Sequence, residues 1–226
     1  MIFLKEFIKK LILVILSIKV ITVVKSLNLR KKKNLFIDLG SNKGQGFNYF
    51  KKFFKLKLFD YILVEPNPNF YNKLTKLINE TGFKNKIKLL NKAAYTSSTE
   101  KKLFGMVEDY RGELTDGASI LREHNSISYK SNLEKAIIVK TFDFIDLLEK
   151  YKYYDNVIIK MDIEGSEYEV LEKFLNSKIN KKNIKHIFVE FHTRFFSSQF
   201  RPEYLSREKK IKYNLKKENI NYTNWI

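Results

Sequence analysis

Residues 34–46 read NLFIDLGSNKGQG, an apolar run that ends in Asp38 and Gly40 and continues into a turn containing further glycines. The stretch 47–54 that follows has the apolar pattern of a helix. A buried strand, a tight turn and a helix in this order are typical of a parallel α/β sheet. Gly40 and Gly44 permit the tight turn and let a ligand approach the backbone closely.

The same alternation of strand and helix signals continues along the chain. Apolar runs predict further strands at 61–65, 87–91 (running into 92–95), 157–162, 186–192 and 220–226. Amphipathic stretches predict helices at 69–81, 166–175 and 204–218. We therefore predict an α/β fold with a doubly wound, mostly parallel sheet, in which residues 34–226 form one domain.

Residues 96–156 follow this pattern less clearly. Their sequence predicts a strand at 102–108, a polar loop at 111–128, a strand at 137–141 and a helix at 142–151. Two interpretations stay open: an insertion that shapes a substrate pocket, or an exposed loop.

Polar side chains stand where the predicted strands end. These residues are Asp38, Glu65, Asn91, Asp162, Glu190 and His192. Because ligands of doubly wound sheets bind beyond the carboxyl ends of the strands, we expect these side chains to converge on one rim.

The loop after the first strand does not have the chemistry of a phosphate site. Its spacing is D-x-G-x-x-x-G, whereas dinucleotide sites use G-x-G-x-x-G and triphosphate sites use G-K-[ST]. Asp38 would repel a pyrophosphate and suits a cofactor with a cationic end, such as S-adenosylmethionine. Glu65, at the end of the next strand, is placed to accept both ribose hydroxyls.

Several further motifs occur in a familiar order: FIDLGSNKG, VEPNP, NKAAY, GASIL at 117–121, VKTFDFID, IKMDIEGSEYEVL and FVEFH. Over residues 34–193 the chain resembles FkbM-type S-adenosylmethionine-dependent methyltransferases, and MDIEGSE is the most specific motif. The resemblance implies a Rossmann-like class I methyltransferase fold and O-methylation of a hydroxyl on a sugar, glycan or small molecule.

The resemblance also implies roles for individual positions. The methionine end of the cofactor would be lined by Asp38, Gly40, Asn42 and Gly44, and Ser41 belongs to the same binding loop. Glu65 would hold the ribose, with Asn67 near the adenosine and Ala93 and Ala94 near the adenine. Asp162 would contact the cofactor and, with Glu164, lie next to the reacting centre.

The chain departs from the family pattern in three places. Ser166 stands where the family usually has alanine, and the pattern ends after a sixth strand where a class I sheet usually has a seventh. The apolar segment before residue 34 is not part of the family core.

Methyl transfer to a hydroxyl needs an aligned acceptor oxygen and a group that takes its proton. The candidate catalytic residues are Asp162, Glu164, Glu190 and His192, among which we favour Asp162 or His192 as a direct base. A divalent cation such as Mg²⁺, bound by the carboxylates, is the open alternative, and its ligands are not predicted.

Three other residues are less informative from sequence. Lys160 is unusual in a buried strand, and we expect it to pair with a carboxylate. We interpret His124 as a loop residue and His186 as a surface residue before a strand, and assign no role to either.

The composition excludes some classes of protein and leaves the partners open. There is no cysteine, which excludes disulfide scaffolds, zinc–thiolate sites and thiol nucleophiles. The 43 Lys and Arg against 25 Asp and Glu give a net charge of +18, but the lysines are spread along the chain. We therefore expect no nucleic-acid partner, and the oligomeric state is not predicted.

Residues 1–33 form an apolar helix followed by a basic flank. The run 11–24 would reach about 21 Å as a helix, short of the roughly 30 Å hydrocarbon core. Three interpretations stay open: a short signal-anchor, a helix lying in the membrane surface, and a helix packed on the domain. We favour membrane association through residues 1–24. The flank Lys25 to Lys33 then predicts a domain on the cytoplasmic side, or a cytoplasmic protein if the helix is not an anchor.

Two rival functions differ in class from a small-molecule enzyme. An RNA 2′-O-methyltransferase would need lysines and arginines converging beside the cofactor mouth. A non-catalytic, membrane-associated module that retains the fold would bind the cofactor without turnover, or not bind it.

Overall fold

A computed structural model describes residues 2–29, 31–106, 117–124 and 136–225. Within these residues the strands are β1 (Asn34–Leu39), β2 (Phe59–Val64), β3 (Ile87–Leu90), β4 (Ala93–Tyr95), β5 (Glu100–Leu103), β6 (Ile137–Asp143), β7 (Asn156–Met161), β8 (Ile184–Val189) and β9 (Tyr222–Asn224). The helices are α1 (Ile2–Ser26), α2 (Gln45–Phe50), α3 (Pro68–Glu80), α4 (Phe144–Lys150), α5 (Glu167–Asn176) and α6 (Arg201–Lys217), with 3₁₀ turns at Lys84–Lys86 and Thr193–Phe195.

The main sheet has six strands in the order β3-β2-β1-β7-β8-β9, and each neighbouring pair is parallel. The order reverses direction between β1 and β7, and this reversal places the loops after these two strands side by side. The predicted doubly wound, mostly parallel α/β fold is confirmed.

The strands of this sheet carry apolar side chains on both faces, and helices therefore cover both faces. On one face α1, α2 and α3 pack over a cluster rich in phenylalanine, which includes Phe36, Phe47, Phe50 and Phe188. On the other face α4, α5 and α6 enclose the second core, around Ile37, Ile159, Phe174 and Leu215.

The segment between β3 and β7 forms a second, small sheet, in which β6 lies between β4 and β5. The predicted continuation of the third strand through 92–95 is therefore wrong, because β4 pairs with β6 instead. The 102–108 strand is observed earlier, as β5, and residues 107–108 lie outside the described residues. Most of the predicted loop 111–128 also lies outside them.

Two helices begin at residues other than the predicted ones, because residues at the start of each helix set its boundary. The predicted helix 142–151 begins later, because the Asp143 carboxylate accepts a hydrogen bond from Ile145 N–H at 2.9 Å and so caps α4. The predicted helix 204–218 begins earlier, at Arg201, where Pro202 occupies the first turn. The strand predicted over 186–192 ends at Val189, so Glu190 and His192 lie beyond β8.

Helix α1 contacts the domain along one stripe. Leu16 and Val20 are buried in the phenylalanine-rich core, and the hydroxyl groups of Ser17 and Tyr49 lie 2.9 Å apart. Among the described residues, no helix combines the length and the apolar character needed to cross a bilayer.

His186 is a buried residue of β8, so its interpretation as a surface residue is wrong. Its Nε2 lies 2.9 Å from the Thr223 hydroxyl of β9. Burial disfavours the charged ring and lowers the pKa of His186 to about 4.

This burial predicts a loss of stability in mild acid. Because the folded pKa lies below the unfolded value of about 6.5, the stabilisation is present above pH 6.5 and is lost as pH falls towards 4. We expect the free energy of unfolding to fall by on the order of 3 kcal/mol between pH 6.5 and pH 4, as measured by urea unfolding at both pH values. The His186→Gln variant, which keeps a polar group near Thr223, should show a smaller difference. An equal pH dependence in both proteins would contradict this assignment.

Candidate active site

Two adjoining clefts lie beyond the carboxyl ends of β1, β2, β7 and β8. The first has about 600 Å³ of empty space, and its lining includes Gly40, Asn42, Glu65, Asn67, Phe70, Ala93, Ala94, Ile120, Asp162, Glu164 and Ser166. The second has about 860 Å³, and its lining includes Gly40, Ser41, Asn42, Gly46, Lys160, Asp162, Glu164, Glu190, His192, Arg194, Phe195 and Trp225. Gly40, Asn42, Asp162 and Glu164 belong to both clefts, which therefore meet at these residues.

The loop after β1 lies directly against the loop after β7. Gly40 has φ +77°, and a Cβ at this position would lie 1.8 Å from the Asp162 carbonyl oxygen. Only glycine fits here, because the conformation and the close approach both exclude a side chain. The sequence D-x-G thus brings the backbone of Asp162 to the mouth of both clefts.

Glu65 organises the first cleft. Its carboxylate accepts hydrogen bonds from Asn42 N–H at 2.7 Å and from Asn67 N–H at 2.8 Å. Burial raises the pKa of Glu65 to about 7, although both N–H donors oppose that rise. Asn67 also caps α3 by accepting from Asn69 N–H at 3.0 Å. Glu65 retains acceptor capacity towards the cleft, because each carboxylate oxygen accepts more than one hydrogen bond.

Among the described residues, the ionisable side chains that line the first cleft are acidic. Its lining carries three carboxylates, Glu65, Asp162 and Glu164, and no lysine or arginine among the described residues. The rest of the lining is mostly apolar or amide-bearing. This combination disfavours a phosphate group and favours a ligand that combines an apolar ring, hydroxyls and positive charge.

Beneath the junction of the clefts lies a buried ion-pair cluster centred on Lys160. Its Nζ lies 3.3 Å from Asp38 Oδ1 and 3.2 Å from Asp162 Oδ2, and donates to the Gly40 carbonyl at 2.7 Å. Burial disfavours the charge of Lys160, but the two carboxylates overcome it and raise the pKa of the ammonium. The expectation that Lys160 pairs with a carboxylate is met, and the pairing ties the loop after β1 to β7.

His192 is buried among carboxylates. Glu167 Oε1 accepts from its backbone N–H at 2.8 Å and lies 3.2 Å from Nδ1. On the other side of the ring, Nε2 lies 3.5 Å from Asp162 Oδ1 and 3.4 Å from Glu164 Oε2. Burial alone would lower the pKa of His192, but these carboxylates, Glu167 foremost, raise it to about 10. These carboxylates therefore favour the imidazolium form of His192, in which neither ring nitrogen is free to take a proton.

Two acids of the second cleft, Asp162 and Glu190, have pKa values that are shifted in opposite directions. Burial opposes ionisation of Asp162, but Lys160 and His192 hold its pKa below the ordinary value. Burial, reinforced by the charge of Asp162, raises the pKa of Glu190, whose Oε1 also accepts from Arg194 at 2.6 Å. Glu190 is thus the stronger base of the two carboxylates.

Residues 117–124 close the site from the side of the small sheet. Ser119 Oγ donates to the Glu164 carbonyl at 2.6 Å, and this contact holds a turn in which Glu164 and Gly165 both have positive φ. His124 Nε2 lies 3.3 Å from Glu164 Oε2, and the His124 and His192 rings are 5.8 Å apart. His124 is fully buried. The sequence placed it in a loop without a role and did not predict its position beside Glu164 and His192.

The structure brings most of the predicted cofactor residues together and places two of them elsewhere. Gly40, Asn42, Glu65, Asn67, Ala93, Ala94 and Asp162 line the first cleft, and Ser41 lines the second. Asp38 and Gly44 line neither of these clefts. Asp38 is fully buried against Lys160, and Gly44, with φ +92°, begins α2 against Leu77.

The predicted catalytic residues Asp162, Glu164, Glu190 and His192 all line the second cleft. Sequence reasoning assigned no role to Glu167, Arg194, Phe195 or Trp225 around them. Glu167 is the last residue of the MDIEGSE motif, and none of the quoted motifs contains the other three. Glu167 lies in the first turn of α5, a position at which an acid favours the helix dipole without any catalytic role.

Asp162, Glu190 and His192 each offer one possible ligand atom, and these three atoms lie within 4.8 Å of one another. A divalent cation could bridge atoms at this spacing, provided that the ring nitrogen of His192 is unprotonated.

Solved structures with similar folds include two methyltransferases. The methyltransferase FkbM from Methylobacillus flagellatus KT is 16% identical, with a TM-score of 0.46, and the match covers 85% of this chain and 41% of that one. A fragment described as StiE O-MT, residues 942–1257, is 7% identical, with a TM-score of 0.31, and the match covers 68% and 36%. The chain thus spans less than half of either solved chain.

No curated protein matches the chain. A family model described as the methyltransferase FkbM domain matches residues 38–214, which is most of the chain. This match confirms the resemblance carried by the motifs: the chain belongs to the FkbM methyltransferase family.

Proposed function

We propose that the protein transfers a methyl group from S-adenosylmethionine to a hydroxyl of a small molecule or glycan. The observation that carries this proposal is the first cleft, whose charged lining residues in the described part of the chain are all carboxylates, and which opens at Asp162 and Glu164 into a second cleft containing acid–base groups. S-adenosylmethionine has no phosphate and carries a sulfonium and an ammonium, which fits that charge.

The residues of the first cleft divide the cofactor between them. Ala93, Ala94 and Phe70 offer an apolar slot for the adenine, and Glu65 offers acceptor atoms for the ribose hydroxyls. The shared residues Gly40, Asn42 and Asp162 lie where the methionine part would pass between the clefts. The Asp162 carboxylate is favourable there because it meets a positively charged group.

The cofactor supplies the activated methyl group, and the protein aligns the acceptor and takes its proton. The hydroxyl oxygen forms the new bond to the methyl carbon as the carbon–sulfur bond breaks, and sulfur keeps the bonding electrons. Glu190 is the group we assign to accept the hydroxyl proton, because its pKa is raised and His192 is already protonated. His192 positions the neighbouring Asp162 carboxylate, and Glu164 positions His192.

The second cleft also favours a small acceptor over RNA. Its described basic residues are Lys160 and His192, which are buried among carboxylates, and Arg194, which pairs with Glu190. Neither presents a free row of cations to a phosphate backbone. Phe195 and Trp225 instead supply aromatic faces of the kind against which the apolar face of a sugar ring packs.

The proposal is tested by incubating the protein with S-adenosylmethionine and a panel of hydroxyl-bearing sugars, glycans and phenols. We expect production of S-adenosylhomocysteine that depends on one class of acceptor, and a mass increase of one methyl group on its oxygen. Product formation on RNA alone would favour the rival 2′-O-methyltransferase. Cofactor binding without turnover on any acceptor would favour the non-catalytic module.

A chelation experiment separates direct base catalysis from a divalent cation held by Asp162, Glu190 and His192. Because the carboxylates around His192 favour its protonated form, we expect turnover to be unchanged by EDTA and not to be raised by added Mg²⁺ or Mn²⁺. Activity that is lost on chelation and restored by one of these metals would contradict Glu190 acting as a direct base.

A further inference from the structure

The exposed surface of α1 is strongly apolar. Leu16 and Val20 are buried, whereas seven other apolar side chains of the helix are exposed, namely Leu11, Ile12, Leu13, Val14, Ile15, Ile18 and Ile21. We call these seven residues the apolar face of α1. A continuous group of this kind is far from the scattered apolar residues of an ordinary surface, and it indicates an interaction site.

The polar atoms of this part of the helix are satisfied within the chain. The Thr22 hydroxyl donates to the Ile18 carbonyl at 3.0 Å, and the Ser17 hydroxyl donates to the Leu13 carbonyl at 2.8 Å. Such internal hydrogen bonds let hydroxyl groups enter an apolar medium without loss of their partners.

Positive charge surrounds the apolar face. Residues 11–33 include Lys19, Lys25, Arg30 and Lys31–33 and no acidic residue. Lys19 also lines one groove with Lys212 and Lys216 of α6, so basic residues of two helices meet beside the apolar face. Lys212 pairs with Glu208 at 2.5 Å, which leaves Lys19 and Lys216 as the main charges of this groove.

We propose that α1 lies in the plane of an anionic lipid surface, with its apolar face in the lipid and the lysines Lys19 and Lys216 at the headgroups. The contact of Leu16 and Val20 with the core holds the helix along the domain, so that the domain and the helix dock as one body. An exposed apolar face flanked by lysines combines the two contributions that bind amphipathic segments to such membranes. This inference is independent of the proposed function.

The test is co-sedimentation of the full chain with vesicles of phosphatidylcholine, alone or mixed with phosphatidylserine. We expect the protein to bind the mixed vesicles more strongly than the neutral ones, and binding to weaken as salt is raised. The variant Lys19→Gln/Lys216→Gln should lose about five-fold affinity per lysine on the mixed vesicles only. No binding of the parent protein to either vesicle would overturn the proposal.

A matched pair of variants separates the apolar face from net charge. Val14→Glu/Ile18→Glu changes side chains that are 55% and 59% exposed, and Ile138→Glu/Leu205→Glu changes side chains that are 60% and 45% exposed elsewhere. Both variants add the same charge, and melting curves confirm that each is folded. We expect the first to lose at least about ten-fold in vesicle affinity and the second to lose far less.

Two further results would overturn the proposal. Equal losses of vesicle affinity in the two variants would show that net charge alone governs binding. A parent protein that is dimeric without lipid, and monomeric in Val14→Glu/Ile18→Glu, would assign the apolar face to a second copy of the chain.

Discussion

Replacing Glu190 by glutamine is expected to lower kcat for methyl transfer by about 10²–10⁴-fold. Glutamine keeps the size of the side chain and its contact with Arg194 but cannot take a proton. Glu190 lines the second cleft and not the first, so the affinity for S-adenosylhomocysteine should stay near that of the parent protein. The measurement is steady-state kinetics of S-adenosylhomocysteine release, combined with calorimetry of cofactor binding.

The matched control is Glu149→Gln, which removes a surface carboxylate that pairs with Lys152 far from the clefts. We expect this variant to keep the parent kcat. If Glu190→Gln also keeps it, Glu190 is not the base, and Asp162 becomes the residue to replace next.

The second large effect is on stability. Asp38→Ala removes one of the two carboxylates that hold Lys160, in a region without access to water. Breaking a buried ion pair from one side leaves a buried charge poorly compensated, and we expect a loss of about 3–5 kcal/mol in the free energy of unfolding. Urea denaturation at neutral pH measures this loss.

A double variant distinguishes lost charge pairing from lost packing. In Asp38→Ala/Lys160→Met the buried ammonium is gone as well, and we expect part of the stability to return relative to Asp38→Ala. The exposed pair of Lys32 with Asp155 is the control, because Asp155→Ala should cost much less. A double variant that is less stable than Asp38→Ala would show that packing, and not charge pairing, governs this site.

The main sheet was predictable because its strands are continuous apolar runs and its helices are amphipathic over several turns. The small sheet was not, because β4 is three residues long and pairs with β6, which lies more than forty residues further along the chain. Local sequence patterns do not reveal such distant pairing.

The site was predictable in part for the same reason. Glu65, Asp162 and Glu190 follow the ends of parallel strands, and the topology alone brings them to one edge. Two features depend on packing instead. Burial of Asp38 against Lys160 places it outside the clefts. The carboxylates of Glu167 in α5, and of Glu164 and Asp162 in the loop before it, raise the pKa of His192 and so disfavour it as a base.

We propose that the first cleft binds a positively charged methyl donor and not a phosphate-bearing nucleotide. Isothermal titration calorimetry of the unmodified protein with S-adenosylmethionine, and in parallel with NADH and ATP, tests it most directly. We predict saturable one-to-one binding of S-adenosylmethionine, a marked loss of affinity in Glu65→Ala, and no binding of the two phosphate-bearing ligands. Binding of NADH or ATP in the same cleft, or no heat with S-adenosylmethionine, would contradict it.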